Sequence, residues 1–134
     1  MATPEVERTV RELIAKTLAL DVEEAQPESR FFEDLGGESI DLLDLTFRVE
    51  KNWGVKMSFQ QIADAQNILT DADGYFTPES LEALKRRAPH LNYAAVGDRL
   101  HKDRATELFT VSAIVNTVAA AIQEKESTRA HPAL

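Results

Sequence analysis

An all-α bundle with an added helical insertion is the fold class that this 134-residue sequence predicts. Three observations lead there. Apolar residues recur at helical spacing near both ends of the chain and again in its middle. Those stretches carry recognisable start and stop residues. The stretch between Asn67 and Phe109 has its own helix start and stop, so it adds helix to the bundle.

The first helix begins after Thr3, a capping residue, with Pro4 in the first turn and Glu5 and Glu7 at the positive end of the helix dipole. Val6, Val10, Leu13, Ile14 and Leu18 give one apolar stripe, and the helix fades near Leu20. Asp21 to Gly37 reads as a long ordered loop, which needs anchors of its own; Phe31, Phe32 and Leu35 are the candidates. A second helix opens at Ser39 and runs to Trp53, before Gly54. Ile40, Leu43, Phe47 and Glu50 follow one row of it, and Leu42, Leu45 and Val49 fill others. So much apolar surface on one short helix implies contacts on two sides, one internal and one with a partner.

Ser58 and Gln61 match a capping box, which starts a short helix near Phe59. Asp71-Ala72-Asp73-Gly74 is a turn signal. Thr77-Pro78 opens a helix carrying Leu81 and Leu84 and ending in Lys85-Arg86-Arg87 before Pro89. A weaker helical pattern follows over Val96 to Leu108. The last helix begins at Thr110 with Val111, Ile114, Val115, Val118 and Ile122 on its apolar face. The tail from Ser127 to Leu134 reads as frayed. The whole reads as one domain over 1–134, with an insertion at about 67–109.

A hydrophobic fraction of 43 % supplies a core, and the formal net charge is −8. Such a surface repels nucleic acid and anionic membranes and attracts basic protein partners. The chain has no cysteine, which excludes disulfides, thiolate metal sites and cysteine nucleophiles. No basic-then-apolar leader and no membrane-length apolar run is present, so a monomeric cytoplasmic protein is expected. Self-repulsion of the acidic chain should ease as salt is added.

The most informative segment is Phe31-Phe32-Glu33-Asp34-Leu35-Gly36-Gly37-Glu38-Ser39-Ile40-Asp41. It holds a hydroxyl after a glycine pair at a helix start, ringed by carboxylates. The plain reading of Ser39 is a helix N-cap. The glycines, however, give access to an approaching group, and the carboxylates do not make the hydroxyl a better nucleophile. They make sense as docking charges for a basic enzyme that modifies the serine.

Leu35-Gly36-Gly37-Glu38-Ser39-Ile40-Asp41 resembles the attachment motif of the acyl carrier proteins, Leu-Gly-x-Asp-Ser-Leu-Asp. The likeness covers roughly residues 3 to 66 and 107 to 126, including the lead-in loop and the Thr110-Val111 start of the last helix. The resemblance implies a four-helix bundle with a short third helix. It also implies that Ser39 is esterified by 4′-phosphopantetheine from coenzyme A. The arm's thiol would carry acyl groups as thioesters, the protein supplying positioning and recognition and no catalysis of its own. Partner recognition would fall to Glu38, Ile40, Asp41, Asp44, Phe47 and Glu50. The partners implied are a phosphopantetheinyl transferase and acyl-processing enzymes with basic docking patches, such as a ketosynthase or an acyltransferase.

Glu38 stands where the family has aspartate, and Ile40 where it has leucine. Arg48 and Lys51 sit on a helix that is usually more acidic, and 67–109 is far longer than the family's connection. The insertion points to a specialised carrier rather than the housekeeping one of fatty acid synthesis; the acidic second helix and the stand-alone length lean towards a specialised lipid or fatty acid pathway, with outer-membrane lipid or lipopolysaccharide acylation one such setting. A free-standing carrier of polyketide or nonribosomal peptide assembly is the alternative, on Phe31-Phe32 and Gly36-Gly37-x-Ser39-Ile40. A third reading is a non-carrier helical interaction module in which Ser39 is a plain N-cap.

Other motifs are weaker. Asp71-x-Asp73-Gly74 resembles part of a calcium loop, but Leu69 and Ser80 fall where acidic ligands belong. His90, His101 and His131 lack metal-ligand spacing, so no metal is expected. Gly37-Glu38-Ser39 is not a nucleophile elbow, and no phosphate-cradling glycine loop is present. The cations Lys85-Arg86-Arg87, Arg99, Lys102 and Arg104 read as solvated, or as a surface by which the insertion selects a dedicated partner.

Overall fold

The computed structural model describes residues 2–56 and 70–130, with side chains as far as 126. The short helix expected near Phe59, with its Ser58 and Gln61 cap, lies outside the described residues. The architecture is helical, a bundle with extra helical elements. Among the described residues the α-helices are α1 (Pro4–Leu18), α2 (Ser39–Trp53), α3 (Pro78–Arg87) and α4 (Val111–Ala130).

Helix α1 starts as its sequence dictates. The Thr3 hydroxyl accepts a hydrogen bond from the Val6 amide at 3.2 Å. It stops at Leu18, two residues before Leu20, because Ala19 turns left-handed with φ 57° and lets the Leu20 amide reach the Ala15 carbonyl at 2.8 Å. Nothing in an alanine announces that turn. The stretch from Asp21 is not all loop: Val22–Glu24 forms a 3₁₀ turn, closed by the Asp21 amide on the Glu24 carboxylate at 2.9 Å. Arg11 of α1 ties this turn down through the Ala25 carbonyl at 2.7 Å.

The expected loop anchors hold. Phe31 is fully buried, with Phe32 and Leu35 packed partly against the core. The loop is also stitched to the start of α4. The Phe31 amide donates to the Phe109 carbonyl, and the Val111 and Ser112 amides donate to the carbonyls of Ser29 and Pro27, all at 2.8 Å. The Thr110 hydroxyl caps α4 from outside it, accepting from the Ala113 amide at 3.1 Å. The backbone of α4 is helical to Ala130. Residues 131–134 lie outside the described part.

Helix α1 packs on both α2 and α4. Val10 and Ile14, Leu42, Leu45 and Val49, and Val111, Ile114 and Val118 are buried between them. The insertion joins the same core: Phe76, Leu81, Leu84, Leu91, Leu100 and Leu108 belong to one buried cluster with the bundle residues. At about 1.5–3 kcal/mol for each large apolar side chain buried, the insertion is part of what holds the fold.

Within the insertion, the Asp71 carboxylate accepts from the amides of Asp73 at 2.9 Å and Tyr75 at 3.0 Å, forming the turn its sequence announces. The Thr77 hydroxyl caps α3 on the Ser80 amide at 3.2 Å. At the other end of α3 the Tyr93 hydroxyl donates to the carbonyls of Ala88 at 2.6 Å and Leu84 at 3.2 Å. Burial pushes that phenol up to about 12. The helix expected over Val96 to Leu108 is instead one 3₁₀ segment, Lys102–Leu108, and another 3₁₀ segment, Tyr93–Ala95, ends just before that stretch. Gly97 sits in the gap between them with φ 67°, a backbone angle that no right-handed helix contains.

Candidate functional site

Ser39 is the first residue of α2, but it is not the cap. Glu38 holds the capping position with extended backbone, φ −119° and ψ 170°. Its amide donates to the Asp41 carboxylate at 2.8 Å. That is the reciprocal half of a capping box, in which a side chain three residues on reaches back to satisfy an orphan amide. The reading of Ser39 as a plain N-cap is therefore corrected. Its side chain is exposed, and among the described residues no hydrogen bond is made to its hydroxyl.

Two glycines bring the chain to that position for different reasons. Gly36 has φ 72°, which favours a residue without Cβ. Gly37 lies against Phe31: its amide donates to the Phe31 carbonyl at 2.9 Å. A Cβ there would press into the Phe31 ring and come within 2.9 Å of the same carbonyl oxygen. The buried Phe31 thus fixes the last turn of the loop before the serine.

The row predicted to face a partner is on the surface. Ile40 is 69 % exposed and Phe47 59 % exposed, the large hydrophobic residues left exposed among the described residues. Glu38, Asp44 and Glu50 are exposed and Asp41 is half-buried, while Leu42, Leu45 and Val49 point inward. Helix α2 therefore has the two apolar sides that its composition implies. Asp44 is not a free docking charge in this structure, since the Arg48 guanidinium binds it at 3.0 Å one turn on. The C-terminus of α2 is held by α4: Lys125 Nζ donates to the Trp53 carbonyl at 3.0 Å, beside Gly54.

The site can accommodate a phosphodiester on Ser39. Among the described residues the hydroxyl has no partner, the opening turn of α2 presents the positive end of a helix dipole, and Gly36 and Gly37 leave no side chain in front. The surrounding carboxylates of Asp34, Glu38 and Asp41 add no attraction for an anion, so an approaching enzyme must bring the cations.

The loop before Ser39 carries an ion network that sequence reasoning missed. Arg30 Nη2 binds Asp34 at 3.0 Å, and Nη1 lies 3.6 Å from Glu107 of the insertion. Glu107 is in turn bound by Arg104 at 3.0 Å. The hydrogen bond from Arg30 holds the Asp34 carboxyl below the ordinary range, and that from Arg104 does the same for Glu107. Local spacing announces the Arg30–Asp34 pair but not its link to residues more than seventy positions on.

The basic residues of the insertion are not one patch. Arg104 is spent on Glu107, Arg99 lies over the Tyr75 ring at 4.0 Å and Lys85 over the Tyr93 ring at 5.7 Å. Arg86, Arg87 and Lys102 are exposed. Among the described residues no cluster of His, Asp or Glu could hold a metal, and no helix is long and apolar enough to cross a membrane. His101 is structural, with Nε2 3.0 Å from the Asp73 carbonyl and its ring edge-on to Tyr75. Exposed His90 joins no such cluster, and His131 lies outside the described residues. Troughs of about 410 and 320 Å³ share Pro27, Ser112 and Asn116 near the start of α4; neither is lined by α2.

A family model described as "Phosphopantetheine attachment site" matches residues 8–70. The acyl carrier protein of Nitratidesulfovibrio vulgaris (strain DP4) is 40 % identical over 68 residues, which is 51 % of this chain and 86 % of that protein. The acyl carrier protein AcpXL of Rhizobium meliloti (strain 1021) is 40 % identical over 52 residues, 39 % of this chain and 55 % of that protein. A protein of the same name from Mesorhizobium japonicum (strain LMG 29417 / CECT 9101 / MAFF 303099) is 33 % identical over 76 residues, 54 % of this chain and 78 % of its own length.

Proposed function

This chain belongs to the acyl carrier protein family, and on that premise we propose that Ser39 is the residue to which its 4′-phosphopantetheine is attached. The group is covalently bound, and when present it supplies a terminal thiol that takes acyl groups as thioesters. The observation that carries the choice of Ser39 is its released hydroxyl. Glu38 and Asp41 complete the helix start without it, which leaves Ser39 Oγ open to attack the pantetheine-bearing phosphorus of coenzyme A, the diphosphate bond breaking, adenosine 3′,5′-bisphosphate leaving and the serine proton passing to a base of the transferase.

The other roles belong to α2. Ile40 and Phe47 form an apolar pair that a partner enzyme can cover, and Glu38, Asp41 and Glu50 frame them with negative charge, joined by Asp44 once a partner's cation displaces Arg48 from it. A basic docking surface, on a phosphopantetheinyl transferase or an acyl-processing enzyme such as a ketosynthase or an acyltransferase, complements that frame. The chain itself acts as a monomeric cytoplasmic carrier and performs no catalysis.

For the pathway, our reading is specialised lipid or fatty acid acylation, an outer-membrane lipid being one destination. It rests on two observations. The family match ends at residue 70, so nearly all of the insertion at about 67–109 lies beyond it. Two of the relatives also bear a name of their own among acyl carrier proteins. Exposed Arg86 and Arg87, at the end of α3, and exposed Lys102 leave the insertion separate cations with which to choose a dedicated partner. Incubation with a phosphopantetheinyl transferase and coenzyme A, followed by intact mass, tests the attachment. One added phosphopantetheinyl group in the wild type and none in Ser39→Ala is expected; no gain in the wild type contradicts it.

A further inference from the structure

The geometry assigns Thr106 and Glu107, at the end of the insertion, as positioning residues for the loop that presents Ser39. The loop forms a tight turn. The Arg30 carbonyl accepts from the amides of Asp34 at 3.0 Å and Leu35 at 3.1 Å, and the Arg30 amide donates to Asp34 at 2.8 Å. Both long side chains of this turn then reach the insertion. Glu33 accepts a hydrogen bond from the Thr106 hydroxyl across 73 positions of sequence, and Arg30 bridges to Glu107. Glu107 cannot swing away freely, because Arg104 donates to both its oxygens at 3.0 and 3.2 Å.

Two residues further on, the same segment meets the loop's core anchors. The Phe31 amide donates to the Phe109 carbonyl, and the Phe109 ring lies edge-on to Phe32 at 5.7 Å, which lies edge-on to Phe31 at 5.2 Å. Phe31 in turn sets Gly37, two residues before Ser39. A continuous set of contacts therefore runs from Thr106 and Glu107 through Phe109, Phe31 and Gly37 to the serine.

Any one of these exposed ion pairs contributes little by itself. Their number and their convergence on one turn are what matter. A loop already ordered before docking loses less conformational entropy when an enzyme binds it. The insertion thus does for the attachment loop what the loop's own acidic sequence does not.

This inference rests on Ser39 being the attachment site, and the test separates the two. The probe is a phosphopantetheinyl transferase with coenzyme A, acting on the full chain, read alongside amide hydrogen exchange. In the double variant Thr106→Val, Glu107→Gln, exchange at the Phe31 and Gly37 amides should quicken about tenfold, for an opening cost lowered by one factor of ten in the equilibrium. The KM for the carrier should rise about threefold to tenfold, with kcat unchanged. Thr106→Ser with Glu107 intact should restore both. If the double variant fails to fold, Glu33→Ala, from the exposed loop side, should still quicken Gly37 exchange and raise KM. Unchanged exchange and unchanged KM in a folded variant overturn the assignment. A wild-type chain that gains no mass contradicts the attachment site instead, and the exchange readout still judges the positioning role.

Discussion

Asp41 accepts a hydrogen bond from the Glu38 amide at 2.8 Å, so α2 begins without help from the residue that opens it. Ser39 lies between the two and contributes its hydroxyl to neither. A serine at a helix start normally satisfies an orphan amide; here a carboxylate three positions on does that instead.

Stability and modification should therefore separate. Ser39→Ala should change the unfolding free energy by no more than about 0.5 kcal/mol, since no cap is lost. Asp41→Ala should cost about 1 kcal/mol, the usual value of a helix-start contact, while leaving Ser39 able to accept the group. Urea unfolding of both variants checks this. A larger loss for Ser39→Ala than for Asp41→Ala would return the serine to a capping role.

The two loop glycines should fail for different reasons. Gly37→Ala drives a methyl against the Phe31 ring and carbonyl, and is expected to cost about 1–3 kcal/mol as overpacking. Gly36→Ala meets open space but keeps a left-handed backbone, for about 1–2 kcal/mol of strain. Because Phe31 is buried and Gly36 is exposed, the Gly37 variant alone should also disturb the core, lowering the near-ultraviolet dichroism of the aromatic cluster.

Phe47→Ala should leave stability within about 0.5 kcal/mol, because the ring is 59 % exposed. It should weaken binding to a phosphopantetheinyl transferase or to an acyl-processing partner by about tenfold, as truncation of an aromatic interface anchor does. Titration calorimetry on the apo chain measures this. Equal affinity for wild type and variant would remove Phe47 from the docking face.

Tyr93 gives the insertion a pH dependence. Its neutral phenol donates to the Leu84 and Ala88 carbonyls, and burial raises its folded value to about 12 from the ordinary 10.0. A raised value means that the contribution is complete below pH 10 and is lost as pH climbs from 10 through about 12. The wild type should lose stability over that window, and Tyr93→Phe, already lacking about 1 kcal/mol from the hydrogen bonds, should lose less. Denaturation midpoints from pH 9 to 12 decide it, parallel curves being the contrary result.

What could be read in advance follows from the range of the interactions. The caps at Thr3, Thr77 and Thr110, the two-sided character of α2 and the anchoring of Phe31 are set by neighbours within a few residues, and patterning carries them. The exposed row of Ile40, Phe47 and Glu50 follows from the same periodicity. The left-handed Ala19 and the transfer of the cap from Ser39 to Glu38 and Asp41 turn on backbone angles that the residue types leave open. The contacts of Thr106 with Glu33 and of Glu107 with Arg30 join segments far apart in the chain, and no local spacing encodes them. That the insertion's leucines share the bundle's core is likewise set by residues distant in the chain.

Ser39 as the carrier of the prosthetic group is tested by proteolysis of the modified chain and fragmentation of the peptide spanning Gly36 to Arg48. One phosphopantetheinyl group is expected, placed on Ser39 and absent from Ser39→Ala. A group found on any other residue, or undiminished modification of Ser39→Ala, would contradict it.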